Sequence, residues 1–261
     1  FRSMNVDVCA LVFDNPEQAY DSIDELEKLA PIYIEYFDAR LFEAALKSGR
    51  TYSFYPADSK ATTVLLVGFD DFSEHQRERS RKKTNKIAQK FNAAFTGTTG
   101  TKALELGTAR DVLHYTIAPD QSIESSPDIF GRFFVPKLQF SAFYADLLKL
   151  EDALKFDIPL SGWALAGSYA VHPTLAFSKT SDKQRALKLL DELSKLVTMH
   201  GGSFITDGGE GKLKVPFVAR QRDDTVNTLY GEIKKICDPH GILGPGVKAG
   251  TDLKTIVGLL K

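Results

Sequence analysis

The sequence predicts an α+β fold: a largely antiparallel sheet covered by helices on one face and built from ferredoxin-like units. Three observations carry that expectation. Short apolar, β-branched runs alternate with segments of helical period, in the order βαβ, βα, βαβα. No phosphate-binding glycine turn follows any of these runs, which sets the chain apart from dinucleotide-binding sheets. With 261 residues, 43% of them hydrophobic, it can bury a sizeable core as one large domain or two small ones.

The elements follow in order. Val6 to Phe13 is a strand, and Asn15-Pro16-Glu17 opens a helix with Asn as cap and Pro at the first turn; Ala19, Ile23, Leu26 and Leu29 then recur at helical spacing. Ile32 to Phe37 is a second strand, Ala39 to Leu46 a short helix, and Thr62 to Asp70 a buried strand rich in Val and Leu. Ser73 caps a long charged helix ending near Phe95. Thr96 to Thr101, rich in Gly and Thr, and Ala118 to Asp128, with two prolines and three serines, read as loops. Arg132 to Val135 is a strand. The helix from about Lys137 carries Phe143, Leu147, Leu150 and Leu154 on one face. Leu160 to Phe177 is a hairpin or strand pair interrupted near Gly167 and Pro173. Thr180 or Ser181 caps an amphipathic helix with Leu189, Leu190, Leu193 and Val197, stopped by Gly201-Gly202. No sequence repeat accompanies the repeating element order.

Charge and cysteine content narrow the function classes. Charged residues are 26% of the chain and nearly cancel, to a net −1, so no basic field steers it toward nucleic acid or an anionic membrane. Cys9 and Cys237 form no metal-site or redox spacing, which fits a reducing, cytoplasmic setting. The longest apolar run, around Val64 to Phe69, is too short to span a bilayer. Residues 1–5 read as a linker or cloning remnant, with the domain running from 6 to 261.

Three glycine-bearing segments concentrate the unusual backbone chemistry. Near the end, Asp238-Pro239-His240-Gly241-Ile242-Leu243-Gly244-Pro245-Gly246 stops a helix and turns twice within nine residues. Gly201-Gly202-Ser203-Phe204-Ile205-Thr206-Asp207-Gly208-Gly209-Glu210-Gly211-Lys212-Leu213-Lys214 is dense enough in glycine for backbone to approach a ligand or to turn sharply. Leu165-Ala166-Gly167-Ser168-Tyr169-Ala170-Val171-His172-Pro173 holds a lone histidine. On residue chemistry alone these are a helix stop, a glycine hairpin and a structural histidine.

Their residue order resembles the C-terminal, substrate-side domain of FAD-linked oxidases of the D-lactate dehydrogenase and glycolate oxidase type, among the vanillyl-alcohol-oxidase-like flavoproteins. The three segments are similar to that family's "DP.GILNPG", "GG.ISGEHG.G..K" and "H.GDGNLHP" signatures. Ile34 to Asp38 and Thr63 to Asp70 resemble its "E..D" and "LLVE.DG" strands. The resemblance implies a domain that covers the flavin ring, with Gly209, Gly211, Lys214, Gly244, Pro245 and Gly246 on the cofactor side. FAD would be held mainly by a preceding FAD-binding domain, for which no segment precedes Val6. It further implies a small 2-hydroxy acid as substrate, with His172 and Arg110 as catalytic residues. Arg110 lies where the family often places an arginine facing the substrate carboxylate, a role suited to a planar guanidinium fork.

The departures bear on the metal. The family's two histidines of the third segment and its later Glu hold a divalent ion, but here Leu165 stands at the first His and Asp207 at the Glu, while Ser168 and Ala170 replace Asp and Asn and Gly208 replaces the His of the glycine segment. His172 alone survives, so no bound metal is expected. Gly244 replaces an Asn. The alternative reading is a non-catalytic α+β module, or an inactive family member, that mediates protein association.

Overall fold

The computed structural model describes residues 5–99, 101–113, 130–165, 167–175, 182–206 and 209–255. Two compact units emerge, residues 1–123 with 159–169 and residues 124–158 with 170–261. The fold is α+β, and every strand pair with a defined register is antiparallel.

In the first unit, β1 (Asp7–Phe13) and β3 (Thr63–Phe69) pair over their whole lengths, Ala10 opposite Leu66, and every residue of both is buried. β2 (Tyr33–Asp38) lies beside β3, β4 (Ala94–Thr98) beside β1, and β6 (Leu160–Leu165) beside β2, giving the order β4-β1-β3-β2-β6. Strand alternation divides the side chains between two faces. Val8, Ala10, Val12, Phe37, Val64 and Leu66 form one core with Phe42 of helix α2 (Ala39–Lys47), where the Phe42 ring stacks on Tyr55 at 5.0 Å. From β2, Tyr36 points the other way and meets Tyr20 of helix α1 (Pro16–Glu27) at 6.4 Å. The Asn15 side chain caps α1, accepting from Glu17 N at 2.9 Å, as the Asn-Pro-Glu pattern predicts.

Helix α3 (Glu74–Lys90) is tied to β1 by Arg77 and Arg81, both bound to the buried Asp7 at 3.2 and 2.8 Å. It stops five residues before the expected end at Phe95. Asn92 takes a left-handed φ of 55°, and the chain turns at once into β4, so Phe95 belongs to a strand. The Thr96 to Thr101 segment, expected as loop, is therefore strand for its first part and helix α4 (Thr101–Gly107) at its end. Glycine and threonine masked an edge strand: Thr96 and Thr98 are β-branched, and an edge needs one partner only. Helix α4 and the 3₁₀ turn Thr108–Asp111 after it had no sequence expectation. The Ala118 to Asp128 loop and the Thr180 or Ser181 cap lie outside the described residues.

The second unit holds β5 (Phe133–Pro136), helices α5 (Lys137–Leu154) and α6 (Asp182–Met199), and the end of β7 (Ser168–Pro173), with β7 neighbouring β5. Phe130, Phe133, Phe143, Phe204 and Phe217 form its aromatic core, with ring centroids 5.2 to 6.0 Å apart. After α6, Ser203 exchanges two backbone hydrogen bonds with Phe134, at 2.8 and 2.9 Å. Gly202 permits that approach, since a Cβ there would lie 2.5 Å from the Phe134 carbonyl oxygen. Two further helices, α7 (Val215–Gln221) and α8 (Asp224–Cys237), complete the unit.

The left-handed turn at Asn92 sets where β4 begins. Asn92→Val is expected to lower unfolding stability by about 1–2 kcal/mol relative to Asn92→Gly, because a β-branched side chain is strained at positive φ. Urea titration of the two variants measures the difference.

Candidate functional site

Two clusters of buried charge stand out, one in each unit. In the first, Glu35 sits mid-strand on β2 and is almost fully buried. Its Oε1 accepts from Arg110 Nε at 2.7 Å and from Trp163 Nε1 at 3.0 Å, and its Oε2 accepts from Arg110 Nε at 2.9 Å. Trp163 is the cross-strand partner of Glu35, so β2–β6 register delivers the indole to the carboxylate. The Arg110 guanidinium also stacks 5.0 Å above the Tyr33 ring. That ring lies flat across Gly68, where an added Cβ would come within 2.4 Å of it. Arg110 thus stands on the 3₁₀ turn with one edge engaged by Glu35 and about half its side chain exposed. The next residue, Asp111, accepts from Arg50 Nη2 at 2.9 Å and from Tyr52 Oη at 3.0 Å; Arg50 and Tyr52, with Glu105 and Thr108, line an open cavity of about 380 Å³.

In the second unit the two glycine segments meet. Glu210, between Gly209 and Gly211, accepts from Arg222 Nη2 at 2.5 Å and from Lys248 Nζ at 2.7 Å, so the C-terminal loop is clamped onto the glycine segment. The Lys212 stem reaches within 3.6 Å of where a Cβ on Gly246 would stand. Gly209 and Gly211 have φ of 71° and 53°, and a Cβ on either would meet open space. Their backbone is therefore accessible to a flat ligand or another surface. Gly246, at φ 80°, has no such freedom: a Cβ would lie 2.5 Å from Thr251 Oγ1. Asp238 shapes the preceding turn, accepting from Ile242 N at 2.9 Å, Leu243 N at 2.8 Å and Lys234 Nζ at 2.5 Å. The Lys234 bond, with help from those two amides, holds the Asp238 carboxyl below its usual range.

The remaining expected residues are placed as follows. Lys214 turns inward: its Nζ donates to the Arg132 carbonyl at 2.6 Å and to Thr206 Oγ1 at 2.8 Å. His172 lies near the end of β7, half-buried, between the buried Val171 and Pro173. Asp207 and Gly208 lie outside the described residues. Sequence reasoning missed Glu35, Trp163, Glu210, Arg222 and Lys248. For Glu35 a signal exists, since an acid in the middle of a strand, flanked by the apolar and aromatic residues of YIEYF, calls for a buried partner. Among the described residues no three His, Cys, Asp or Glu side chains gather as metal ligands. Cys9 is buried and its thiol is pushed up to about 12, chiefly by that burial, so it supplies no nucleophile near neutral pH. No described helix is long and apolar enough to cross a membrane.

Comparison with solved structures shows that the same sheet-and-helix fold recurs as part of several larger proteins. The chain superposes on 4-ethylphenol oxidase from Gulosibacter chungangensis, solved as an isoeugenol complex, with a TM-score of 0.66 at 12% identity, over 95% of this chain and 54% of that one. It superposes on p-cresol methylhydroxylase with substrate bound at 0.57 and 14%, over 95% and 53%. For alkyldihydroxyacetonephosphate synthase the values are 0.57 and 14%, over 94% and 44%. The chain thus spans about half the length of these proteins. No curated protein matches its sequence. The chain belongs to the family of FAD linked oxidases, C-terminal domain, whose sequence model matches residues 3–247. The family cofactor is FAD.

The Glu210 clamp has a pH signature. Burial alone would push its carboxyl up, but the hydrogen bonds and charges of Lys248 and Arg222 outweigh it and hold the group below its usual value. A depressed carboxylate pKa contributes stability that is complete above the unfolded-state value, about 4.3, and is lost as pH falls through the folded-state value. Thermal melts from pH 6 down to pH 3 are expected to show this loss in the wild type and a flatter profile in Glu210→Gln. At neutral pH Glu210→Gln is expected to cost about 3 kcal/mol, since Arg222 is left buried without its counter-ion.

Proposed function

We propose that this chain is the substrate-side domain of an FAD-dependent oxidoreductase acting on a small 2-hydroxy acid, such as D-lactate or glycolate, or on a related alcohol, and that it works against an FAD-binding domain. Family membership over residues 3–247 carries this reading. The meeting of the two glycine segments through Glu210 and Lys248 supports it. When bound, FAD accepts the hydride, while the protein supplies position and electrostatics.

In this reading the open backbone at Gly209 and Gly211, with the Gly244-Pro245-Gly246 turn beside it, faces the cofactor, and Lys214 anchors the segment from beneath through Arg132 and Thr206. Arg110, fixed by Glu35 and Tyr33, presents positive charge to the substrate carboxylate, and His172 stands as the imidazole on the substrate side. The solved relatives named for phenolic compounds keep an uncharged alternative in view.

The test is steady-state kinetics of the full-length flavoprotein with D-lactate, glycolate and an uncharged para-alkylphenol. Arg110→Met is expected to raise KM at least about tenfold for the acids, as a lost charge-assisted pair would, and to leave the phenol unaffected. Equal losses for all substrates would assign Arg110 to structure. A full-length protein that takes up no flavin would overturn the reading altogether.

A further inference from the structure

The 3₁₀ turn Thr108–Asp111 is fastened on three sides. Ala109 and Val112, three positions apart and so on one face, are fully buried in the core that holds Phe42, Val64 and Leu66. Between them stand one cation and one anion, and each is taken by partners distant in sequence. Arg110 is held by Glu35 on β2 and lies over Tyr33, with about half its side chain exposed. Asp111 is held by the loop that follows α2: Arg50 Nη2 donates to its Oδ2 at 2.9 Å and Tyr52 Oη to its Oδ1 at 3.0 Å. Tyr52 is itself a fixed post. Its ring is buried and meets Phe42 edge-on at 5.2 Å and Phe54 at 5.8 Å. Burial, and then the Asp111 carboxylate beside it, push the Tyr52 hydroxyl well above its usual value, so it stays a donor near neutral pH.

We propose that Asp111, clamped by Arg50 and Tyr52, is a positioning residue that sets the approach of Arg110 to the substrate carboxylate. The inference rests on the functional reading above, in which Arg110 meets that carboxylate, and adds the residues that hold it to one geometry. Arg110 and Asp111 are neighbours on one short turn, so a shift of Asp111 carries the Arg110 backbone with it. A guanidinium fork selects by geometry as well as by charge, and a displacement of about 1 Å spoils a two-point contact. Glu35 alone does not prevent such a shift: both its oxygens bond a single nitrogen, Nε, about which the turn can pivot. The Asp111 carboxylate, with two donors from one loop, supplies the second fixed point. Arg50 and Asp111 are each about a third exposed, and an ion pair so placed adds little to stability. What it supplies is position.

The experiment is a double-mutant cycle on the full-length flavoprotein. D-lactate and glycolate are the substrates, and acetate, which carries the carboxylate but no hydroxyl to oxidise, is the competitive inhibitor. Asp111→Ala is expected to raise KM for the acids and Ki for acetate together, by about three- to tenfold, with kcat within about twofold of wild type. Tyr52→Phe, which keeps the buried ring and removes one donor, is expected to move both constants the same way by less. Asp111→Ala combined with Arg110→Met is expected to be no worse than Arg110→Met alone, because a residue that acts through Arg110 then has nothing left to position. If circular dichroism shows Asp111→Ala unfolded, Asp111→Asn, which still accepts from Tyr52 but carries no charge for Arg50, completes the same cycle. Additive losses in the double variant, or a fall in kcat with KM and Ki unchanged, would overturn the proposal while Arg110 keeps its role. Wild-type constants in the Asp111 variant would do the same. A wild type that oxidises neither acid, or an Arg110→Met variant with unchanged KM, would instead strike the functional reading on which the proposal rests.

Discussion

The pairing of β1 with β3 is the constraint on which the first unit depends. All fourteen residues are buried, so both faces of the sheet centre must be covered, and helices from both sides supply that cover. A one-residue slip would exchange the faces. The same slip of β2 against β3 would send Tyr36 toward Phe42 and turn Glu35 from Arg110 and Trp163 into the apolar layer that holds Tyr20. The chemistry of the first unit is therefore fixed by strand register as much as by side-chain choice.

Buried carboxylates hold the irregular segments. Asp7 fixes α3 through two arginines, Glu35 fixes the 3₁₀ turn through Arg110, and Glu210 fixes the C-terminal loop through Lys248 and Arg222. Such pairs add little net stability compared with apolar packing, but breaking one strands a charge in the interior. They are suited to giving a loop one position. Under the proposed function, in which the domain meets a cofactor repeatedly in the same geometry, that specificity matters more than added stability.

Much of the fold was legible in the sequence because its signals are local. Asn15 and Ser73 cap their helices, the Val and Leu runs are strands, and Gly201-Gly202 ends a helix as expected. The edge strand Ala94–Thr98 was hidden because glycine and threonine read as loop, and only its partner β1 makes it a strand. The family was legible in the glycine segments. Their contact through Glu210, Lys212 and Lys248 was not, because pairs separated by up to 38 residues leave no periodic trace. Glu35 with Arg110, 75 residues apart, is the same case.

The sole tryptophan, Trp163, is bound to Glu35 in the first unit and offers the most direct check that this domain covers a flavin. The emission attributable to it, obtained by subtracting that of the Trp163→Phe variant, can be compared in the full-length protein with FAD and after FAD removal. The account predicts strong quenching of that emission when flavin is present, with recovery on its removal. Identical emission in the two states, in a protein shown to bind FAD, would place the flavin away from this domain and contradict the account.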